Sequence, residues 1–242
     1  VYVQAEPGSL IVEDSLSWPA KKRALFTWEN IRDHEKNLMS FHQLKAQDLV
    51  VCGNPEAVEL VKSCNSNTAL VLQVGVDVNH FCTRPGVSRE VPVAYIGRAV
   101  PEKGLPYLLL AWTDARVLER KDFRSLPWWY SQVQVVVAYS QDHPLWREQA
   151  PNYVVLEALS CGCKAVVSDT AAMKYWLEGC PEVIMVRGHD YAGDTVDLSR
   201  IDALKAGITR ALELEASGEG RKWVYENFSN AVVAKELLEV LG

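Results

Sequence analysis

The sequence predicts an α/β protein with mainly parallel sheets. Three observations carry this. Short apolar runs are repeatedly followed by helical patterns, which is the order a parallel sheet with crossover helices requires. The 242 residues are 48% hydrophobic and 23% charged, enough apolar material for a real core and too much for disorder. No repeat or low-complexity tract interrupts the pattern.

Asp48 to Cys52 is a buried strand that leads directly into a helix, with Asn54 as cap, Pro55 in the first turn and Glu56 near the positive end of the dipole. Thr68 to Val74 is the next strand. Arg84-Pro85-Gly86 then breaks the pattern, so a linker is expected around residues 82–90. Strands follow at Val91 to Ile96, Val133 to Ala138, Lys164 to Ser168 and Val183 to Val186. Helices are expected at Leu105 to Trp112, Tyr153 to Ser160 and Ala171 to Glu178, the last closed by Gly179. Asp202 to Ala216 places Leu204, Ile208, Ala211 and Leu212 on one face, and Ser229 caps a final helix.

Charge narrows the partners. Twenty-five Lys and Arg stand against 31 Asp and Glu, a net charge of −6. Residues 1–87 carry 8 basic and 10 acidic groups and residues 88–242 carry 17 and 21, so neither part has the basic field of a nucleic-acid binder. Apolar runs such as Tyr107 to Trp112 are far short of the roughly 20 residues of a spanning helix. No charged-then-apolar leader stands at the start. Six Cys and five His show no zinc-like spacing, so no metal site is expected, and reduced thiols in a cytoplasmic protein are the simplest reading.

Two segments carry chemistry. Ile96-Gly97-Arg98-Ala99-Val100-Pro101-Glu102-Lys103-Gly104 follows a strand and precedes a helix. A glycine at the strand end lets backbone approach a ligand, and Arg98 and Lys103 put two cations beside a helix start, which suits a diphosphate. It is neither a Walker loop nor the dinucleotide fingerprint, and by pattern alone a solvated turn with two surface cations fits as well. The second segment runs from Glu148 through Gln149, Ala150, Pro151, Asn152 and Tyr153 to Glu157 and Cys163. A polar loop enters a helix whose free amides can hold an anion, with Glu157 one turn inside. Such a Glu either meets ribose hydroxyls or merely offsets the dipole.

Together the segments resemble the group 1 (family four) retaining glycosyltransferases of the GT-B fold, with their GR…EKG loop and an acidic loop leading into a LEA…CG helix. Gln73 to Phe81 is similar to that family's NGVD…F segment, and Phe26 to Ile31 and Val51 to Ala57 resemble the end of its acceptor-side domain. The resemblance covers about residues 24–170. It implies two Rossmann-like parallel-sheet domains, an incomplete, truncated acceptor-side one over 1–87 and a nucleotide-sugar donor domain over 88–224, and a C-terminal helix, 225–242, packing back on the first.

The implied activity is transfer of a hexose-like sugar from a UDP- or GDP-sugar to an unidentified acceptor, with retention, without a metal and with no cofactor besides the donor itself. Arg98 and Lys103 would hold the diphosphate and take up leaving-group charge. Glu157 would bind ribose, and Gly75, Gly97, Glu148, Gln149, Ala150, Pro151, Asn152 and Tyr153 would complete the donor site.

Three departures qualify the resemblance. Its two acids stand eight apart, but eight before Glu157 is Gln149 and nine before is Glu148. Either Glu148 serves through a one-residue bulge or Gln149 replaces the acid. The interval from Gly104 to Ser140 is short, and Trp128-Trp129 near Arg124 could stack a base there, although core packing is the commoner use of such a pair. The family's opening strand and glycine-rich loop have no counterpart, so the chain reads as a fragment or a minimal form. Trp28-Glu29-Asn30 stands where the family places an acceptor-side His, making Glu29 a catalytic candidate, with a surface Glu beside a helix start as the alternative. A non-catalytic donor-binding module, completed by a partner chain or a homo-oligomer, is the other reading of these departures.

Overall fold

The computed structural model describes residues 1–28, 37–119, 121–143, 146–188, 190 and 196–242. The chain forms two units, one of Val1–Gly75 with Ala231–Gly242 and one of Val76–Asn230.

The first unit alternates β1 (Tyr2–Gln4), α1 (Leu10–Leu16), β2 (Ala24–Thr27), α2 (Asn37–Lys45), β3 (Leu49–Cys52), α3 (Pro55–Lys62) and β4 (Thr68–Leu70). The sheet order is β1-β2-β3-β4, all parallel. Every residue of β2 and β3 is buried, as parallel strands covered on both faces must be. Side-chain alternation divides the core between the faces. Leu25, Val50 and Cys52 pack with Val12, Leu44, Ala57 and Val61 on one side. Ala24, Phe26, Leu49 and Val51 meet Val71 and the chain's last helix, through Leu237, Val240 and Leu241, on the other. α3 starts as its sequence dictates, with the Asn54 side chain accepting the Ala57 N–H at 2.8 Å. The expected strand from Thr68 to Val74 stops pairing at Leu70.

In the second unit, β5 (Val91–Ile96), α4 (Leu105–Ala111), β6 (Arg116–Leu118), α5 (Leu126–Ser131), β7 (Val133–Ala138), α6 (Tyr153–Ser160), β8 (Lys164–Ser168), α7 (Ala171–Leu177) and β9 (Val183–Val186) precede α8 (Leu198–Glu213), α9 (Glu219–Phe228) and α10 (Asn230–Leu241). The parallel sheet runs β6-β5-β7-β8-β9. The chain leaves β5 for β6 on one side and returns to β7 on the other, so strand order reverses between the carboxyl ends of β5 and β7. Open α/β sheets bind ligands at such a reversal. One face of this sheet, through Val93, Tyr95, Val135, Val137 and Val166, packs on Tyr107 and Leu108 of α4 and Leu204, Ile208 and Ala211 of α8.

Residues 82–90, where a linker was expected, belong to the second unit together with 76–81. Phe81 stacks edge-on against Phe123 and Tyr130, and the Arg84 N–H donates to Ser131 Oγ at 2.8 Å. The chain thus carries two all-parallel α/β sheets, one in each unit.

Candidate functional site

The reversal point is concave. A cavity of about 260 Å³ opens there, lined from the β5 side by Tyr95, Ile96, Gly97, Arg98 and Lys103 and from the β7 side by Val137, Ala138, Ser140, Asn152 and Val154.

Local sequence sets the shape of the β5 loop. Gly97 has φ +146°, a conformation side-chain-bearing residues rarely adopt, which turns the chain off the strand. Tyr95 Oη donates to the Arg98 carbonyl, and burial pushes this phenol up to about 12, so it keeps its proton. Arg98 itself is exposed at the rim. A turn of 3₁₀ helix, Pro101–Lys103, ends at Gly104, whose φ is +66° and on which a Cβ would stand 2.0 Å from the Tyr139 carbonyl oxygen. Only glycine lets the two loops approach this closely.

Lys103 is held between the two sides. Its Nζ donates to Glu148 at 2.9 and 3.1 Å and lies 4.6 Å from the Trp146 ring centre. The Glu148 side chain is 7% exposed and that of Lys103 18%, so water screens this pair little. Glu148 thereby reaches the site edge through Lys103.

Asn152 caps α6 with φ +49°, and its side chain accepts the Val154 N–H at 3.2 Å. Among the described residues it is the one non-glycine with positive φ, and strain of this kind persists only where the surroundings enforce it. The positive end of the α6 dipole is thus placed at the cavity. At the other end of α6, carbonyls are taken up by cations and a hydroxyl. Arg89 donates to the Cys161 carbonyl at 2.6 Å, Thr83 Oγ1 to the same oxygen at 2.8 Å, and Arg221 to the Ser160 carbonyl.

Glu157, one turn into α6, accepts a hydrogen bond from Tyr130 Oη at 2.8 Å. Burial raises this carboxyl to about 7, partly offset by that hydrogen bond.

Of the sequence candidates, Gly97, Arg98, Lys103 and Asn152 line the cavity and Glu148 joins them through Lys103. Glu157, Tyr153, Gln149, Ala150 and Pro151 belong to the same loop and helix but do not line it. Gly75 is the last residue before the first unit's break, and Glu29 lies outside the described residues. Trp128 and Trp129 do not line the cavity either. Trp128 is 47% exposed, their rings meet edge to face at 4.7 Å, and Lys121 lies over Trp129. Sequence reasoning passed over Ser140, a lining residue whose buried hydroxyl has no hydrogen-bond partner among the described residues. Its only signal was its place two residues beyond a strand end at a fold reversal.

No protein-family model and no curated protein matches this sequence. Solved structures do. Sucrose-phosphate synthase from Thermosynechococcus elongatus superposes with a TM-score of 0.78 at 15% identity, over 99% of this chain and 72% of that one. The Anabaena protein HepE, in complex with UDP, gives 0.75 at 14% identity over 99% and 78%. Pneumococcal O-GlcNAc transferase GtfA, with UDP and GlcNAc, gives 0.68 at 13% over 99% and 57%. These structures share the GT-B architecture, and at such identities they establish the fold of this chain. No helix among the described residues is long and apolar enough to cross a membrane.

Proposed function

We propose that this chain is a retaining glycosyltransferase that moves a sugar from a UDP- or GDP-sugar to an acceptor. The carrying observation is the cavity at the β5/β7 reversal, where a left-handed glycine, Arg98, Lys103 and the start of α6 converge. In this reading residues 76–230 bind the donor and the first unit serves the acceptor. Arg98 and Lys103 take up the charge that develops on the diphosphate as its bond to the anomeric carbon breaks. Ser140 and Asn152 offer hydrogen bonds to phosphate oxygens, Glu148 accepts from sugar hydroxyls and Glu157 from ribose. The nucleotide ligands of HepE and GtfA support the donor class. Six free thiols, four of them buried, fit a reducing compartment such as the cytoplasm.

Thermal unfolding with UDP, GDP and their sugars tests the reading. A donor at about 100 times its Kd should add roughly 2.7 kcal/mol, a rise on the order of 5 to 10 °C. Arg98→Ala, which removes an exposed side chain, should abolish the rise without lowering the unliganded Tm. No rise with any nucleotide overturns the proposal. A second reading, a donor-binding module completed by another chain, is favoured by the similarity to a chain of the GtfA/B complex (13% identity, TM-score 0.67). Donor binding without transfer or donor hydrolysis would identify it.

A further inference from the structure

We infer that Glu119 reads the nucleobase of the donor and makes this site prefer guanine over uracil nucleotides; the inference rests on the donor reading above. β6 pairs with β5 in the register Ile96 to Leu118, and the Gly97 N–H donates to the Leu118 carbonyl at 3.3 Å. Glu119 therefore leaves the sheet beside the loop that carries Arg98. Its Oε1 accepts the Ala99 N–H at 2.6 Å, which pins the carboxylate against that loop, while Oε2 has no hydrogen-bond partner among the described residues. The side chain is exposed.

Where phosphates sit at the end of the first strand of a βαβ unit, the nucleoside extends over the second strand, here β6. The opposite flank of the cavity is occupied by Lys103, Glu148 and Trp146. A nucleotide with its diphosphate at Gly97 and Arg98 accordingly carries its base toward Glu119.

A carboxylate only accepts hydrogen bonds. Guanine presents two adjacent donors along one edge, the ring N–H and the 2-amino group. Uracil presents a single N–H between two carbonyl oxygens, and a carboxylate is repelled by both. A hydrogen bond to a charged group at a partly solvated site separates such ligands by about tenfold.

The test is the affinity of the whole chain for GDP, IDP and UDP by calorimetry, in wild type, Glu119→Gln and Arg98→Ala. GDP should bind about tenfold more tightly than UDP, with IDP, which lacks the 2-amino group, between them. In Glu119→Gln the amide oxygen can still accept from Ala99, and the amide N–H₂ turned outward should narrow or reverse the preference. Equal or tighter binding of UDP by wild type overturns the inference. So does an unchanged GDP to UDP ratio in Glu119→Gln, or an equal loss for all three nucleotides, which would make Glu119 a loop tether alone. Binding lost only in Arg98→Ala upholds the donor site itself. Absence of binding to wild type by all three removes the donor reading, and this inference with it.

Discussion

Glu157 sits where two demands meet, an apolar helix flank and a hydrogen bond from a buried phenol. Its carboxyl titrates near 7 when folded and near 4.5 when unfolded, so between those values the folded state holds more protons. Stability from this group is complete below about pH 4.5 and is lost as pH rises through 7. Glu157→Gln removes the titration. Relative to wild type it should gain on the order of 2 kcal/mol between pH 4.5 and pH 8, a figure reduced for partial hydration. Denaturant midpoints of both proteins across that range check it, and a constant difference would contradict it. The residue was legible in sequence, but its contact was not, because Tyr130 lies 27 positions away.

At the scale of elements, the helices whose sequences are least persuasive are held by distant side chains. α9 reads EGRKWVYENF, a segment for which the sequence pattern marks no separate helix within a C-terminal third expected to be helical, and it buries Gly220, Val224 and Phe228. It forms because Glu182, 3% exposed, accepts from the N–H groups of Ser217, Gly218 and Gly220 at its start. At the C-terminal end of α8, Lys164 donates to the Leu212 and Leu214 carbonyls. Both complement the helix dipole. Glu182→Ala strands several amides and should cost about 2 kcal/mol in urea unfolding, beyond an ordinary surface cap. β5, β7, β8, β9 and α6 lie where apolar periodicity places them, since each is an apolar run bounded by turn residues. β6 escaped because it is a three-residue edge strand with Arg116 and Val117 exposed, and α8 begins four residues early because Asp197 caps it at Ser199.

For the molecule as a whole, the chain's last helix belongs with its first strands. Leu237, Val240 and Leu241 pack against Ala24, Phe26, Leu49, Val51 and Val71, and Lys22 Nζ donates to the Leu241 carbonyl at 2.7 Å. A chain ending at Asn230 uncovers that sheet face. Amide exchange in β2 and β3 should then accelerate by at least tenfold while β5, β7 and β8 keep their protection, as expected of separate cooperative units. Equal loss of protection in both sheets would show a single cooperative unit instead.

Sequence alone determined the α/β class, the parallel strands of the second sheet and the loop bearing Gly97, Arg98 and Lys103, because strand and helix periods and special-φ glycines are written in local residues. Tertiary structure alone decided that Lys103 meets Glu148, that Glu157 is engaged by Tyr130, and that Ser140 and Glu119 flank the same loop. Those contacts join residues 20 or more positions apart or lie across a strand reversal, and only the folded sheet brings their atoms together.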